Sequence, residues 1–298
     1  MTNTCQKKRA SLQKRFIGAL ILNGALAIAE LIMSIITGST ALLADALNNI
    51  DDFGALLFSI YSEHISKKPP DERHTFGHER MDVIAGLAKG CLLLLSAIFI
   101  LYQSVLFIVS PSTIHGMLVL ITATIALAVN LISALWLKQD ACHSLNAKGT
   151  YLCMIYDAVG SFAVMISGAL LMLFNVGYFD ILASLVIVYF MVRSGWSLIK
   201  ECMSIFMQTA PADFDYLAFE KAVGSIQNVT SVGDVHVWAQ TPNEYHLTAK
   251  VCIASQDICS CEQIIQQVES VCKEQFGVSH TTIQLHYNEE SIPRFCKT

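Results

Sequence analysis

Asn48 and Asp52 are four positions apart, and so are Cys153 and Asp157. On a helix that spacing stacks two side chains on one face, with Cβ atoms about 6 Å apart. Two such helices facing each other would converge three oxygen donors and one sulfur. Four donors of that kind suffice for a tetrahedral metal site, and the soft sulfur favours Zn(II) or Cd(II) over Mg(II) or Ca(II). A second group, Asp71, His74 and His78 in PPDERHTFGHER, offers a carboxylate and two imidazoles. These donors also suit a transition metal. Each group has a plainer reading. Asn and Asp can bond neighbouring helices, a lone Cys is commonly a small core residue, and His and Asp are ordinary in solvated loops.

The elements that must position these residues are apolar. The first pair lies in ALLADALNNIDDFGALLFSI (41–60), where Asp45, Asn48, Asn49, Asp51 and Asp52 interrupt apolar turns, and the second lies in KGTYLCMIYDAVGS. Hydrophobic residues are 54% of the 298-residue chain, charged residues 14%, and mean hydropathy is +0.52. A soluble domain carries roughly 25% charged residues. Apolar runs cover 16–37, 41–64, 82–109, 114–137, 149–174 and 179–205. A bilayer-crossing helix needs about 20 residues. The pattern predicts a polytopic α-helical membrane protein, with a short cytoplasmic segment (1–15) before six transmembrane helices (16–207). A carboxylate in mid-membrane costs at least ~2.5 kcal/mol on insertion scales, so Asp52 and Asp157 together call for a counter-charge or water. A divalent cation would supply one.

Basic residues set the orientation. KKRASLQKR, SKKPPDERHTFGHER and the fourth-to-fifth connection with Lys138 and Lys148 are basic. The alternate connections, near Gly38 and Ser39, Ser110–His115 and Asn175–Tyr178, hold no Lys or Arg. The positive-inside rule puts both termini in the cytoplasm.

From residue 208 to 298 the texture changes. APADFDYLAFEKAVGSIQ reads as an amphipathic helix, NVTSVGDVHVWAQT and EYHLTAKVCIA as strands, CSCEQIIQQVESVCKEQFG as a helix and HTTIQLHY as a third strand. That α-β-β-α-β order suits a small open sheet with helices on one face. Ten cysteines without framework spacing suit reduced cytosolic thiols. Cys259 and Cys261 are half a metal site at most. The first apolar run is long and lacks a cleavage pattern, so no cleavable signal is expected. Lys and Arg form no stripe with interleaved aromatics, which argues against a nucleic-acid partner. An intramembrane hydrolase would need an open metal position beside a general base, and no H-E-x-x-H motif is present. No enzyme and no organic cofactor is expected.

GSTALLADALNNIDDFG, RHTFGHERMDVIAGLAKGCLLLL, AKGTYLCMIYDAVGS and GDVHVWAQTPNEYHLTAK occur in that order. Together, from about residue 10 to 290, they resemble the cation diffusion facilitator family of metal transporters. The resemblance implies a homodimer of six-helix protomers, each with a C-terminal cytoplasmic ferredoxin-like α+β domain. It implies efflux of a divalent metal ion from the cytoplasm in exchange for protons, usually of Zn(II), by alternating access. By position, the central transport site would be Asn48, Asp52, Cys153 and Asp157. The family pattern is His or Asp then Asp on the second helix, and His then Asp on the fifth. This chain keeps both second-position aspartates and changes both first-position ligands. Cys153 points to Zn(II) or Cd(II). Asn48 resembles members directed at Mn(II), so a Mn(II)- or Fe/Co/Ni-directed member is the alternative. A membrane receptor that senses metal without moving it is the rival from another class.

Asp71, His74 and His78 all match a loop site seen in some members. In the C-terminal domain Gly233, Lys250 and Gln284 stand where His is expected, leaving His286 as the clearest ligand candidate. His236 and His280 fall in matching phrases as structural residues. Arg80 matches a basic residue that can pair with an acid after the sixth helix, where this chain has Gln208. The lack of a long His-rich fourth-to-fifth connection is more like bacterial members, and the expected location is a bacterial inner membrane.

Overall fold

The computed structural model describes the backbone of residues 2–111, 113–141, 145–242, 244–254 and 258–287. Side chains are described within those ranges except at 2–17, 19–20, 137, 139–141, 145–150 and 258–260. Six long helices stand where the sequence has its six apolar runs: α1 (Thr2–Thr37), α2 (Thr40–Ser66), α3 (Met81–Val109), α4 (Gly116–Ala141), α5 (Leu145–Phe174) and α6 (Tyr178–Phe206). Among the described residues, α3, α5 from Tyr151, α6, and α4 as far as Trp136 are long and apolar enough to cross a membrane. The apolar part of α1 covers Ile21–Thr37, and α2 is interrupted by its polar residues. Large apolar side chains point outward, with Leu95 and Ile98 of α3 and Leu182 of α6 all more than 60% exposed. Such faces are costly in water and favourable against acyl chains.

Two compact units are formed. The first comprises Met1–Tyr61 and Ala85–Ile199. Its core is built from small and aliphatic residues of α2, α3, α4, α5 and α6, among them Ala41, Leu42, Ala97, Ile100, Ala123, Val164 and Ile187. Small residues let helices approach closely in a membrane domain, where packing rather than water exclusion holds them together. The α3–α6 crossing shows this at Gly90. A Cβ there would lie 2.7 Å from Ile199 Cγ1 and 3.0 Å from the Gly195 carbonyl oxygen.

The start of α2 is fixed by a side chain from another helix. Asp180, in the first turn of α6 and fully buried, accepts hydrogen bonds from Ser39 Oγ (2.5 Å), Thr40 N (2.6 Å), Thr40 Oγ1 (2.8 Å) and Ala41 N (3.0 Å). The first N–H groups of a helix have no partner inside it, and a carboxylate there also meets the positive end of the helix dipole. This pins the end of α2 that leads to Asn48 and Asp52.

The second unit comprises Ser62–Ile84 and Lys200–Thr298. Its order is α7 (Tyr216–Gly224), β1 (Val229–Thr241), β2 (Glu244–Ile253), α8 (Ile258–Phe276) and β3 (Val278–His286). The sheet order is β1-β2-β3, with β1–β2 antiparallel and β2–β3 parallel. Alternate residues Val235 and Val237 of β1, and Leu247, Ala249, Val251 and Ile253 of β2, share one core with Phe219 and Val223 of α7 and Ile264, Val268 and Cys272 of α8. Both helices therefore cover the same face. α7 is shorter than the sequence suggests. It begins only after Asp215, whose carboxylate accepts from the backbone N–H groups of Leu217 and Ala218 as an N-cap.

Candidate functional site

α2 and α5 meet along a polar seam. Asn48 Nδ2 donates to Asp157 Oδ1 at 3.0 Å. One turn away, Ser161 Oγ donates to Asp45 Oδ2 at 2.8 Å. Residue numbers rise along α2 as they fall along α5, so the helices run antiparallel and Asp52 and Cys153 come next on the seam. Gly160 permits the approach, because a Cβ there would sit 3.0 Å from Asp45 Oδ1. Asp157 is only 3% exposed, and Asn48, Asp52 and Cys153 are half-buried. One member of each spaced pair, Asn48 and Asp157, thus meets the other across the two helices.

The seam also contains a cation that periodicity did not assign. Lys89 of α3 places Nζ 2.8 Å from Asp52 Oδ1, and Cys153 and Asp157 fall within its electrostatic reach. A single Lys inside IAGLAKGCLLLL was the available signal, since an ionisable group within an apolar span marks a functional site by default. Polar groups continue beneath the seam. Asn49 Nδ2 donates to Glu30 Oε2 at 2.7 Å, and Asn130 Nδ2 donates to Ser161 Oγ at 3.2 Å. Glu30, Asp45, Asn49, Asn130 and Ser161 are all buried. Only Asp45 and Asn49 of these stood out in sequence.

In the connection between α2 and α3, Asp71 organises its own turn. Its Oδ1 accepts from the backbone N–H groups of Arg73 (2.8 Å) and His74 (2.7 Å). His74 Nδ1 lies 3.0 Å from the same oxygen and His78 Nε2 lies 3.8 Å from Oδ2. Gly77, at φ +75°, reverses the chain so that the two imidazoles come to 4.3 Å between ring centres. Backbone donors from His74 and Arg73 hold the exposed Asp71 carboxyl below its ordinary range, which keeps it anionic. Among the described residues, this is the one set of three His, Cys, Asp or Glu whose ligating atoms all lie within 4.8 Å of one another. Asp52, Cys153 and Asp157 are not drawn that close. Glu79 follows His78 but is engaged elsewhere, its pKa raised by a carboxyl–carboxyl hydrogen bond with Glu244, then by burial.

In the sheet, Gly233 pairs with Lys250 and Lys250 with Gln284, so the three positions form one row across β1, β2 and β3. The row holds an ion pair, Lys250 Nζ to Asp234 Oδ2 at 2.7 Å. His286 lies opposite buried Cys252, and its Nε2 is buried without a hydrogen-bond partner. It joins no described cluster of three potential ligands. His236 Nε2 is 3.0 Å from Asp234 Oδ1. His246 and His280 lie 5.0 Å apart between ring centres with their planes tilted at 43°, and Phe76 and Trp238 also lie against His246. Arg80 Nε is buried without a hydrogen-bond partner. The Cys259 side chain lies outside the described residues, and Cys261 is half-buried.

Comparison with known proteins adds to this geometry. Residues 16–207 match the family model described as "Cation efflux transmembrane domain", and residues 211–287 match "Cation efflux protein, cytoplasmic domain". The metal cation efflux system protein CzcD of Cupriavidus metallidurans is 31% identical over 267 residues, 89% of this chain and 84% of that protein. A cadmium, cobalt and zinc/H(+)-K(+) antiporter of Bacillus subtilis is 28% identical over 262 residues, 87% and 84% of the two chains. Zinc transporter ZitB of Yersinia pestis is 27% identical over 286 residues, 95% and 90% of the two chains.

Proposed function

The chain belongs to the cation efflux family of membrane transporters, and on that premise we propose that it exports Zn(II), with Cd(II) as a second substrate, from the cytoplasm in exchange for protons. It is an integral membrane protein that moves divalent metal cations and is not an enzyme. The observation that carries the finer reading is the α2–α5 seam, where Asn48 bonds Asp157 and Asp52 and Cys153 follow on the same two faces. Relatives named for zinc, cadmium and cobalt support the choice of ion.

In this reading Asp52 and Asp157 supply charge, Asn48 an amide oxygen, and Cys153 a thiolate. The thiolate rather than the thiol binds metal, so loading expels a proton and release allows it to return. This couples metal to proton at the ligand itself. Asp71, His74 and His78 act earlier, as a cytoplasmic relay that passes the ion inward. The protomer spans the membrane six times with both termini in the cytoplasm, sits in a bacterial inner membrane, and works as a homodimer.

The test is uptake of Zn(II), Cd(II), Mn(II) and Co(II) into sealed vesicles holding the purified protein under a pH gradient. Zn(II) and Cd(II) should be taken up only with the gradient, and Asp157→Ala should abolish uptake while the protein remains folded. Wild-type uptake by Asp157→Ala would remove the central site from this reading. Uptake of Mn(II) alone would favour the Asn48-based alternative. Metal binding without uptake would favour a receptor.

A further inference from the structure

We propose that Lys89 is a resident cation of the transport site, its ammonium holding Asp52 in the metal-free protein and leaving when metal binds. This rests on reading Asn48, Asp52, Cys153 and Asp157 as that site. Lys89 Nζ lies 2.8 Å from Asp52 Oδ1. Their side chains are 28% and 22% exposed, so the pair is largely withdrawn from solvent. α3 presents the ammonium to α2 while its neighbour Gly90 packs against Gly195 and Ile199 of α6. That crossing leaves α3 little freedom to turn Lys89 away as a unit. The flexible four-carbon stem of lysine is then the part that moves.

A bound Zn(II) stands about 2.0–2.2 Å from a carboxylate oxygen. An ammonium on the same carboxylate would place like charges a few ångströms apart in a poorly screened setting. The two cations therefore compete for Asp52. Asp52, Cys153 and Asp157 do not form a set whose ligating atoms all lie within 4.8 Å of one another, and the partner that Asp52 has at close range is Lys89.

This competition has two effects. Apparent affinity falls by the fraction of sites that the lysine leaves open, and the returning ammonium helps the metal depart. A site that must release its ion on every cycle gains turnover from a tethered competitor. Lys89 is a positioning residue here: it never ligates the metal but sets how tightly Asp52 is offered.

Three variants and one wild-type measurement test the idea. Lys89→Gln and Lys89→Met should tighten Zn(II) binding by the purified full-length protein at least roughly tenfold in competition with a chromogenic chelator, the scale of one charge-assisted contact. In vesicles they should lower KM and kcat together, and Lys89→Arg, which keeps the charge, should not tighten binding. Unchanged or weaker Zn(II) binding by a folded, neutral variant overturns the proposal. For the wild-type protein, a membrane-permeant carbodiimide should join Asp52 to Lys89 without a spacer, detectable as a cross-linked peptide. Saturating Zn(II) should suppress that product. A yield indifferent to Zn(II) overturns the proposal even if the neutral variants fail to fold. Asp157→Ala separates the two readings. If that variant still transports, the site itself is misassigned. If it is inactive and Lys89 proves indifferent, only the competitor role is lost.

Discussion

Asp180→Ala removes one acceptor and strands four donors. Ser39 Oγ, Thr40 Oγ1 and the backbone N–H groups of Thr40 and Ala41 all converge on this carboxylate. An interhelical side-chain hydrogen bond within a membrane protein averages about 0.6 kcal/mol in double-mutant cycles. Four at that value give about 2.4 kcal/mol, and charge assistance roughly doubles the strength of such bonds. The expected loss is therefore between about 2 and 5 kcal/mol. Asp180→Asn should lose less, because it keeps an acceptor oxygen for part of the set. Unfolding in mixed micelles with increasing denaturing detergent, followed by intrinsic fluorescence, gives the difference. The same variant should weaken Zn(II) binding although Asp180 belongs to α6 and meets only the start of α2, since it frees the helix that carries Asn48 and Asp52. A stability loss below about 0.5 kcal/mol, the scale of an ordinary surface substitution, would mean the cap does not hold α2.

Other outcomes follow from the same geometry. His74→Ala should weaken metal binding or slow uptake while leaving measurable exchange. Loss as complete as that of Asp157→Ala would reverse the ranking of the two sites. Cys153→Ser should lose more uptake of Zn(II) and Cd(II) than of Mn(II), because a hydroxyl oxygen is harder than a thiolate and rarely ionises; wild-type rates for every ion would show that sulfur is not a ligand. The His246 pKa is lowered by burial first, then by His280 and Arg80, against an opposing pull from Glu244. The unfolded chain therefore takes up this proton before the folded one does, and stability present above the ordinary His range is lost as pH falls through it. Glu79, with its pKa raised, acts in the opposite sense. The test is the difference in thermal midpoint between pH 7.5 and 5.5, read from tryptophan fluorescence. It should be larger for the wild type than for His246→Phe, and equal differences would refute the account.

Periodicity brought out one contact of the candidate seam. Two i, i+4 pairs in apolar helices predict two facing polar stripes, and the Asn48–Asp157 bond joins those stripes. The loop triad was equally legible, since Asp71 is close enough in sequence to bond the backbone N–H groups two and three residues on, and Gly77 supplies the reversal. What periodicity could not give was partner choice across helices. Lys89 is conspicuous in its apolar run, but whether it meets Asp52, Asp51 or a lipid headgroup depends on the rotation of α3. That rotation is fixed by the close approach at Gly90 and Gly195, a fact of tertiary packing. The buried Glu30–Asn49 bond and the Asp180 cap were hidden for the same reason: each joins residues from different helices, and neither partner advertises the other.

The sheet repeats the lesson in a different setting. Gly233, Lys250 and Gln284 stand in one row where the family resemblance leads one to expect histidines, and there Lys250 pairs with Asp234. In the seam Lys89 pairs with Asp52. Counting carboxylates in either place and inferring a metal omits the other way of neutralising them, which is an ammonium on a flexible stem. The two places differ in what else is present. Around Lys250 the row itself offers no histidine donor. Around Lys89 a second carboxylate and a thiol lie within electrostatic reach, so in the proposed role displacing the lysine would expose a donor set able to hold an ion. In the proposed role the lysine–aspartate pair is an exchangeable occupant of the seam, while in the sheet it joins Lys250 to Asp234. A metal titration that changes the Lys89 variants and leaves Lys250→Gln indistinguishable from wild type would separate those roles.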